Sequence, residues 1–210
     1  TRRPMCTPEQ PQIYLITPTE PEAMGFCDRL AAVLDAAPVA CLRLSLASVD
    51  ADEIARLADL TRATAHARDV PLGIDRHLRL VEPHGLDGVH LPDGARHIRD
   101  ARKLLGSDAI IGAYCGALRH DGMTAGEAGA DYVSFGPVDP GPLGTGDAAP
   151  RELFEWWSEM IEVPVVAEGG LSDHHIAALG AGTGFFALGP EVWKTDDPAV
   201  ALERIDGLLG

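Results

Sequence analysis

Short runs rich in β-branched and apolar residues recur along this chain. Each ends in a polar or glycine-bearing corner, and each but the last gives way to a helix-like segment. The runs are Ile13–Thr17, Val39–Leu46, Val70–Asp75, Leu86–Leu91, Ala109–Cys115, Asp131–Gly136, Val163–Gly169 and Thr183–Gly189. Strands alternating with helices predict a parallel sheet, and eight such units predict an α/β fold closed into a (β/α)8 TIM barrel. Residues 1–12, which hold three prolines, read as a lead-in, and 13–210 as a single barrel domain. A barrel of this kind carries its chemistry at the C-terminal ends of its strands, so the search for function narrows to a few residues per strand.

Between the strands, helices are expected from about Pro21 to Asp35, from a start near Ser48 (a plausible N-cap, with acids in the first turn), and over Arg96–Leu105, Arg151–Ile161 and His174–Leu179. Ile98, Ala101, Leu104 and Leu105 keep helical spacing up to Gly106. The connection Arg76–Gly85 contains Pro83 and has room for only about two turns. A stripe of Trp156, Trp157 and Met160 fits core packing better than an interface. The longest irregular stretch, residues 136–150, follows the sixth strand and is expected over the active face.

Strand side chains alternate faces, so parity says which residues point together. Leu42, Leu44 and Leu46 share one face of the second strand, which turns Arg43 into the barrel with Cys41 and Ser45. A charge there needs a partner. Arg43 therefore reads either as half of a buried ion pair or as an arginine offered to an anionic ligand, which its fork suits. Asp75, ending the adjacent third strand, pairs with Arg43 or binds a divalent cation completed by substrate oxygens and water. His90 fits a hydrogen-bonded structural residue, and Tyr114 shares the Gly112 face of the fifth strand. Glu168 is an acid in an apolar run. It reads as a general acid/base or as the partner of an arginine, and its alternation with Ala167 and Gly169 leaves open whether it enters the site. Gly169, Gly170 and Gly189 close the seventh and eighth strands, where barrels commonly hold phosphate with backbone N–H groups.

Composition narrows the partners. A formal net charge of −15 argues against nucleic acid and against anionic membrane surfaces. No run approaches the roughly 18 apolar residues of a membrane span. No apolar segment follows Thr1–Cys6, so a secretory signal is not expected and the cytoplasm is the expected compartment. Cys6, Cys27, Cys41 and Cys115 lack metal-binding spacing and predict no disulfide frame.

These corners, in this order, resemble the thiamine phosphate synthase family, which includes a thiazole tautomerase branch. The likeness rests on Tyr14-Leu-Ile-Thr17, Leu42-Arg43, Asp75-Arg76, Asp87-Gly-Val-His-Leu91, Ile110-Ile-Gly112, Gly129-Ala-Asp-Tyr-Val-Ser-Phe-Gly-Pro-Val138 and Pro164-Val-Val-Ala-Glu-Gly-Gly170. It implies a reaction joining hydroxymethylpyrimidine diphosphate to thiazole phosphate with loss of diphosphate. The implied roles put Arg43 on the diphosphate and Mg2+ on Asp75, with Asp93 as a substitute second carboxylate. Substrate would be bound by Tyr14, Arg43, Tyr114, Gly169, Gly170 and Gly189, and a homodimer is implied by the family's habit.

The chain departs from that pattern in several places. Ser45 stands for the family's lysine and Ile74 for its asparagine. Pro92-Asp-Gly-Ala95 replaces its Gly-Gln-x-Asp corner, Tyr114 its serine and Gly116 its histidine. Pro140-Gly-Pro-Leu-Gly144 replaces its Pro-Thr-x-Thr-Lys signature, and Pro137 replaces the tautomerase histidine. Roughly half of the charge that would stabilise a departing diphosphate is absent. Three readings follow: a synthase, impaired or not; a non-catalytic binder of phosphorylated thiamine precursors; or a barrel with changed chemistry built on Glu168, Tyr114, His90 or Asp139.

Overall fold

A computed structural model of the chain describes residues 10–22, 25–142, 144 and 146–210. Its strands are β1 (Gln12–Ile16), β2 (Val39–Leu44), β3 (Leu72–Asp75), β4 (Gly88–Leu91), β5 (Ile110–Tyr114), β6 (Tyr132–Phe135), β7 (Val165–Glu168) and β8 (Phe185–Leu188). They pair in chain order, all parallel, and β8 returns to β1 to close the ring. The helices are α1 (Phe26–Ala36), α2 (Ala51–His66), α3 (Ile98–Leu105), α4 (Arg119–Ala128), α5 (Arg151–Met160), α6 (Asp173–Leu179), α7 (Pro190–Trp193) and α8 (Pro198–Asp206). Among the described residues no helix is long and apolar enough to cross a membrane. The predicted (β/α)8 barrel is the observed architecture.

Strand alternation divides the apolar residues into two bodies. One lies between sheet and helices and takes the outward residues, among them Leu42, Leu44, Val133, Phe135, Ala167, Phe186 and Leu188. Trp157 belongs to it: fully buried on α5, it meets Phe135 edge-on at 5.0 Å and donates its indole N–H to Val163 O at 2.7 Å. Trp156 instead lies under the Arg119 guanidinium at 3.8 Å, and Met160 is exposed, so the stripe is only partly core. The second body fills the barrel and consists of Tyr14, Cys41, Tyr132, Val166, Phe185 and Ala187. Its two tyrosines are joined hydroxyl to hydroxyl at 2.7 Å, which satisfies polar atoms that would be costly to bury alone. Tyr132 fits because Gly112, its register partner on β5, has no side chain; a Cβ there would lie 2.0 Å from the ring.

Local chemistry moved several boundaries from their expected places. The cap of α2 is Asp50, not Ser48: Asp50 accepts from the N–H groups of Asp52 and Glu53, while Ser48 bonds the Glu53 carboxylate. The first helix starts later than expected, at Phe26, after Gly25 in a left-handed conformation (φ 81°). The third starts at Ile98 rather than Arg96. The connection after β3 holds one short 3-10 turn, Leu78–Leu80, in place of the two turns allowed for it. β3 itself begins only at Leu72, since Pro71 has no N–H to give the ladder.

A methyl group at position 112 should destabilise the fold. Gly112→Ala is expected to cost about 1–3 kcal/mol by overpacking against Tyr132. Urea denaturation of the variant beside wild type checks this, and equal stability of the two would refute the packing described.

Candidate active site at the barrel mouth

The C-terminal ends of the strands surround a cavity of about 220 Å3 lined by Arg43, Asp75, Arg76, His90, Pro92, Tyr114, Pro137, Glu168 and Gly169. Arg43, one of these, lies on the inward face of β2 and is only 6% exposed. Its Nη1 donates to Glu168 Oε2 at 3.1 Å, and its Nε lies 3.4 Å from Asp75 Oδ1. The second contact is an ion pair without the alignment of a hydrogen bond, since Nε has no bonded partner. The guanidinium carbon also sits 5.6 Å from the centre of the Tyr14 ring. Burial works against the cation, but Glu168, Tyr14 and Asp75 together outweigh it and hold Arg43 protonated more firmly than an arginine in water. Burial pushes the Asp75 carboxyl up from its ordinary range, and Arg43 pulls it partly back.

Glu168 therefore enters the site. Its face is that of Val166, which lines the barrel interior, while Val165 and Ala167 face the helices. The sequence held no signal for this, because Val165 and Val166 are alike and lie on opposite faces. Arg76 also lines the cavity, which the alternation of strand faces did not predict. It takes a left-handed backbone conformation (φ 62°) that a residue with a side chain adopts only at some cost, and its N–H donates to His90 O at 2.9 Å.

Below the mouth, His90 Nδ1 lies 2.9 Å from the Tyr132 hydroxyl, which continues to Tyr14. Burial, with the Arg43 charge second, drives the imidazole well below its ordinary pKa, so His90 is neutral. Tyr114 donates its hydroxyl hydrogen to Gly136 O at 2.5 Å; burial first, and the Glu168 charge second, raise its pKa. Cys41 and Cys115 are buried, and burial pushes both thiols up to about 12.

Tyr14 lies inside the barrel under Arg43 rather than in the cavity lining. Gly169 lines the cavity. Gly170 beside it supports the loop after β6, because a Cβ on Gly170 would lie 2.1 Å from Asp139 O. Val138 and Asp139 donate their N–H groups to Gly169 O, so the start of that loop is tied to the end of β7 at the mouth. Gly189 gives its N–H to the Glu191 carboxylate. Asp93 pairs with His97 Nδ1 at 2.6 Å and is not part of the lining. Asp139 is engaged with Gly141 N–H at 2.8 Å. Among the described residues no three His, Cys, Asp or Glu side chains form a metal-binding group.

A closed parallel barrel with an arginine–carboxylate cluster at its strand ends defines a mouth-site (β/α)8 protein. Residues 13–189 match the family model described as thiamine monophosphate synthase. The chain is 40% identical over 205 residues to the thiamine-phosphate synthase of Rhodospirillum centenum, covering 94% of this chain and 97% of that one. It is 39% identical to that of Erythrobacter litoralis, over 90% and 91% of the two chains. A thiamine phosphate pyrophosphorylase from Pyrococcus furiosus has the same fold, with a TM-score of 0.82 at 20% identity over 96% and 98% of the two chains. The chain belongs to the thiamine monophosphate synthase family.

Neutral His90 links stability to pH. A histidine whose folded pKa is depressed contributes fully above its unfolded pKa of about 6.5, and its contribution is lost as pH falls below that value. From pH 6.5 downward the wild type should therefore lose about 1.4 kcal/mol per pH unit more than His90→Gln. Parallel pH–stability curves for the two proteins would contradict a neutral buried His90.

Proposed function

We propose that this chain joins hydroxymethylpyrimidine diphosphate to thiazole phosphate at the barrel mouth, with loss of diphosphate, as its family does. The observation that carries the reading is the meeting of Arg43 and Asp75 in one cavity of a chain that belongs to this family. Breaking the pyrimidine–diphosphate bond leaves a cation on the pyrimidine methylene carbon and places the bonding pair on the departing oxygen. The thiazole nitrogen then supplies the pair for the new C–N bond. Barrier lowering in such a step comes from positive charge placed in advance near the departing oxygens.

Arg43 and Arg76 are the cations at this mouth, and Arg43 already faces two carboxylates. Counting these four side chains as ionised, their charges cancel. A magnesium ion would supply further positive charge on the diphosphate. Asp75 and Glu168 offer the hard oxygens that magnesium takes when substrate oxygens and water complete its shell, and Asp75 is the residue that would hold it. Glu168 keeps the Arg43 fork oriented toward the mouth and offers negative charge toward the pyrimidine cation. A second reading, binding of the precursors without turnover, is favoured by the same neutralisation of Arg43.

Purified protein supplied with both precursors and magnesium should form thiamine phosphate. Asp75→Asn, folded by its melting curve, should lower kcat/KM by about 100-fold or more. Chelation of magnesium should abolish turnover. Thermal stabilisation by the precursors with no product would overturn the synthase reading in favour of the binder.

A further inference from the structure

His90, on β4, lines the mouth cavity and is only 4% exposed. Of its two ring nitrogens, Nδ1 meets the Tyr132 hydroxyl at 2.9 Å, and that hydroxyl meets the Tyr14 hydroxyl at 2.7 Å. Nε2 has no partner among the described residues, yet it is not one of the polar atoms sealed from solvent. It therefore opens on the cavity. The two phenol hydrogens decide what it carries, since each buried hydroxyl needs an acceptor. With Tyr14 donating to Tyr132 and Tyr132 donating to Nδ1, both are placed, and neutral His90 keeps its own hydrogen on Nε2. The opposite tautomer leaves one phenol hydrogen without an oxygen or nitrogen acceptor, with only the weakly accepting Cys41 sulfur beside Tyr14 to turn to.

We infer that His90 is a specificity-determining residue: its Nε2–H, fixed in direction by the two tyrosines, donates a hydrogen bond to an uncharged ring nitrogen of the pyrimidine at the mouth. Anionic oxygens there are drawn to Arg43 and Arg76, whereas a neutral N–H beside Pro92, Tyr114 and Pro137 suits a lone pair in an uncharged ring. The choice of ring rests on the proposed synthase reaction; the tautomer does not. A ligand with C–H in place of that nitrogen leaves the buried donor unpaired, which makes such a site selective. A purely structural His90 would be indifferent to the replacement.

Nitrogen NMR of histidine-labelled protein without ligand reads the tautomer. The His90 signals, assigned by their loss in His90→Gln, should show hydrogen on Nε2 and none on Nδ1 at neutral pH. Calorimetry then compares hydroxymethylpyrimidine with two analogues in which each ring nitrogen in turn is replaced by C–H. Wild type should bind one analogue about tenfold or more weakly than the pyrimidine, and His90→Leu should bind the same pair within about threefold of each other. His90→Gln, whose amide both accepts and donates, should restore the preference. If His90→Leu does not fold by its melting curve, Tyr132→Phe, which frees Nδ1 to take the hydrogen, should weaken the preference instead. Hydrogen on Nδ1, or the same preference in wild type and His90→Leu, overturns the inference. So does failure of wild type to bind the pyrimidine or to prefer it to either analogue, whether or not thiamine phosphate forms. The expected preference in a protein that makes no thiamine phosphate from both precursors supports the donor and removes the synthase reading.

Discussion

A guanidinium inside a closed barrel is tolerated only when opposite charge meets it there, and Arg43 imposes that condition on the whole mouth. Asp75 from β3 and Glu168 from β7 meet it from two directions, and the Tyr14 ring supports it from inside the barrel. Strands far apart in the chain are thereby held in one electrostatic unit, over a floor in which His90, Tyr132 and Tyr14 are linked through their own polar atoms. The charge cannot leave and cannot be deprotonated. What the site offers a ligand is therefore a fixed fork flanked by acids rather than an open basic patch.

Much of this was legible in the residues. Alternation of β-rich runs with helical stretches required a parallel sheet, and the three leucines of the second strand turned Arg43 inward. The neighbouring strand then brought Asp75 to it. Glu168 was harder to place, because Ala167 and Gly169 are small enough to suit either face, and the two valines before them, Val165 and Val166, are the same residue type on opposite faces. Ser48 and Asp50 are both good capping residues, and only backbone geometry chose Asp50. The Glu191 carboxylate that joins the Leu171 and Gly189 N–H groups had no signature at all, since its partners are backbone N–H groups that every residue except proline carries.

Membership of the thiamine monophosphate synthase family and departure from its motifs are compatible once the charges are located. Neither position 45, a serine, nor residues 136–150 supply a lysine, while Glu168 brings a carboxylate to the mouth and Glu191 another to the late-strand corners. The family's scaffold and glycine corners persist. The two arginines and two carboxylates lining the mouth cancel when ionised, which places weight on Arg43 and on any metal that accompanies the substrate.

The coupling of Arg43 to Glu168 is the most direct test of this account, through a double-mutant cycle of Arg43→Met and Glu168→Gln read by chemical denaturation. Residues sharing one buried ion-pair network are expected to show an interaction of about 1–3 kcal/mol, the double variant being more stable than the two single losses imply. Additivity within about 0.5 kcal/mol would mean that the two side chains do not form a unit, and the mouth described here would have to be abandoned.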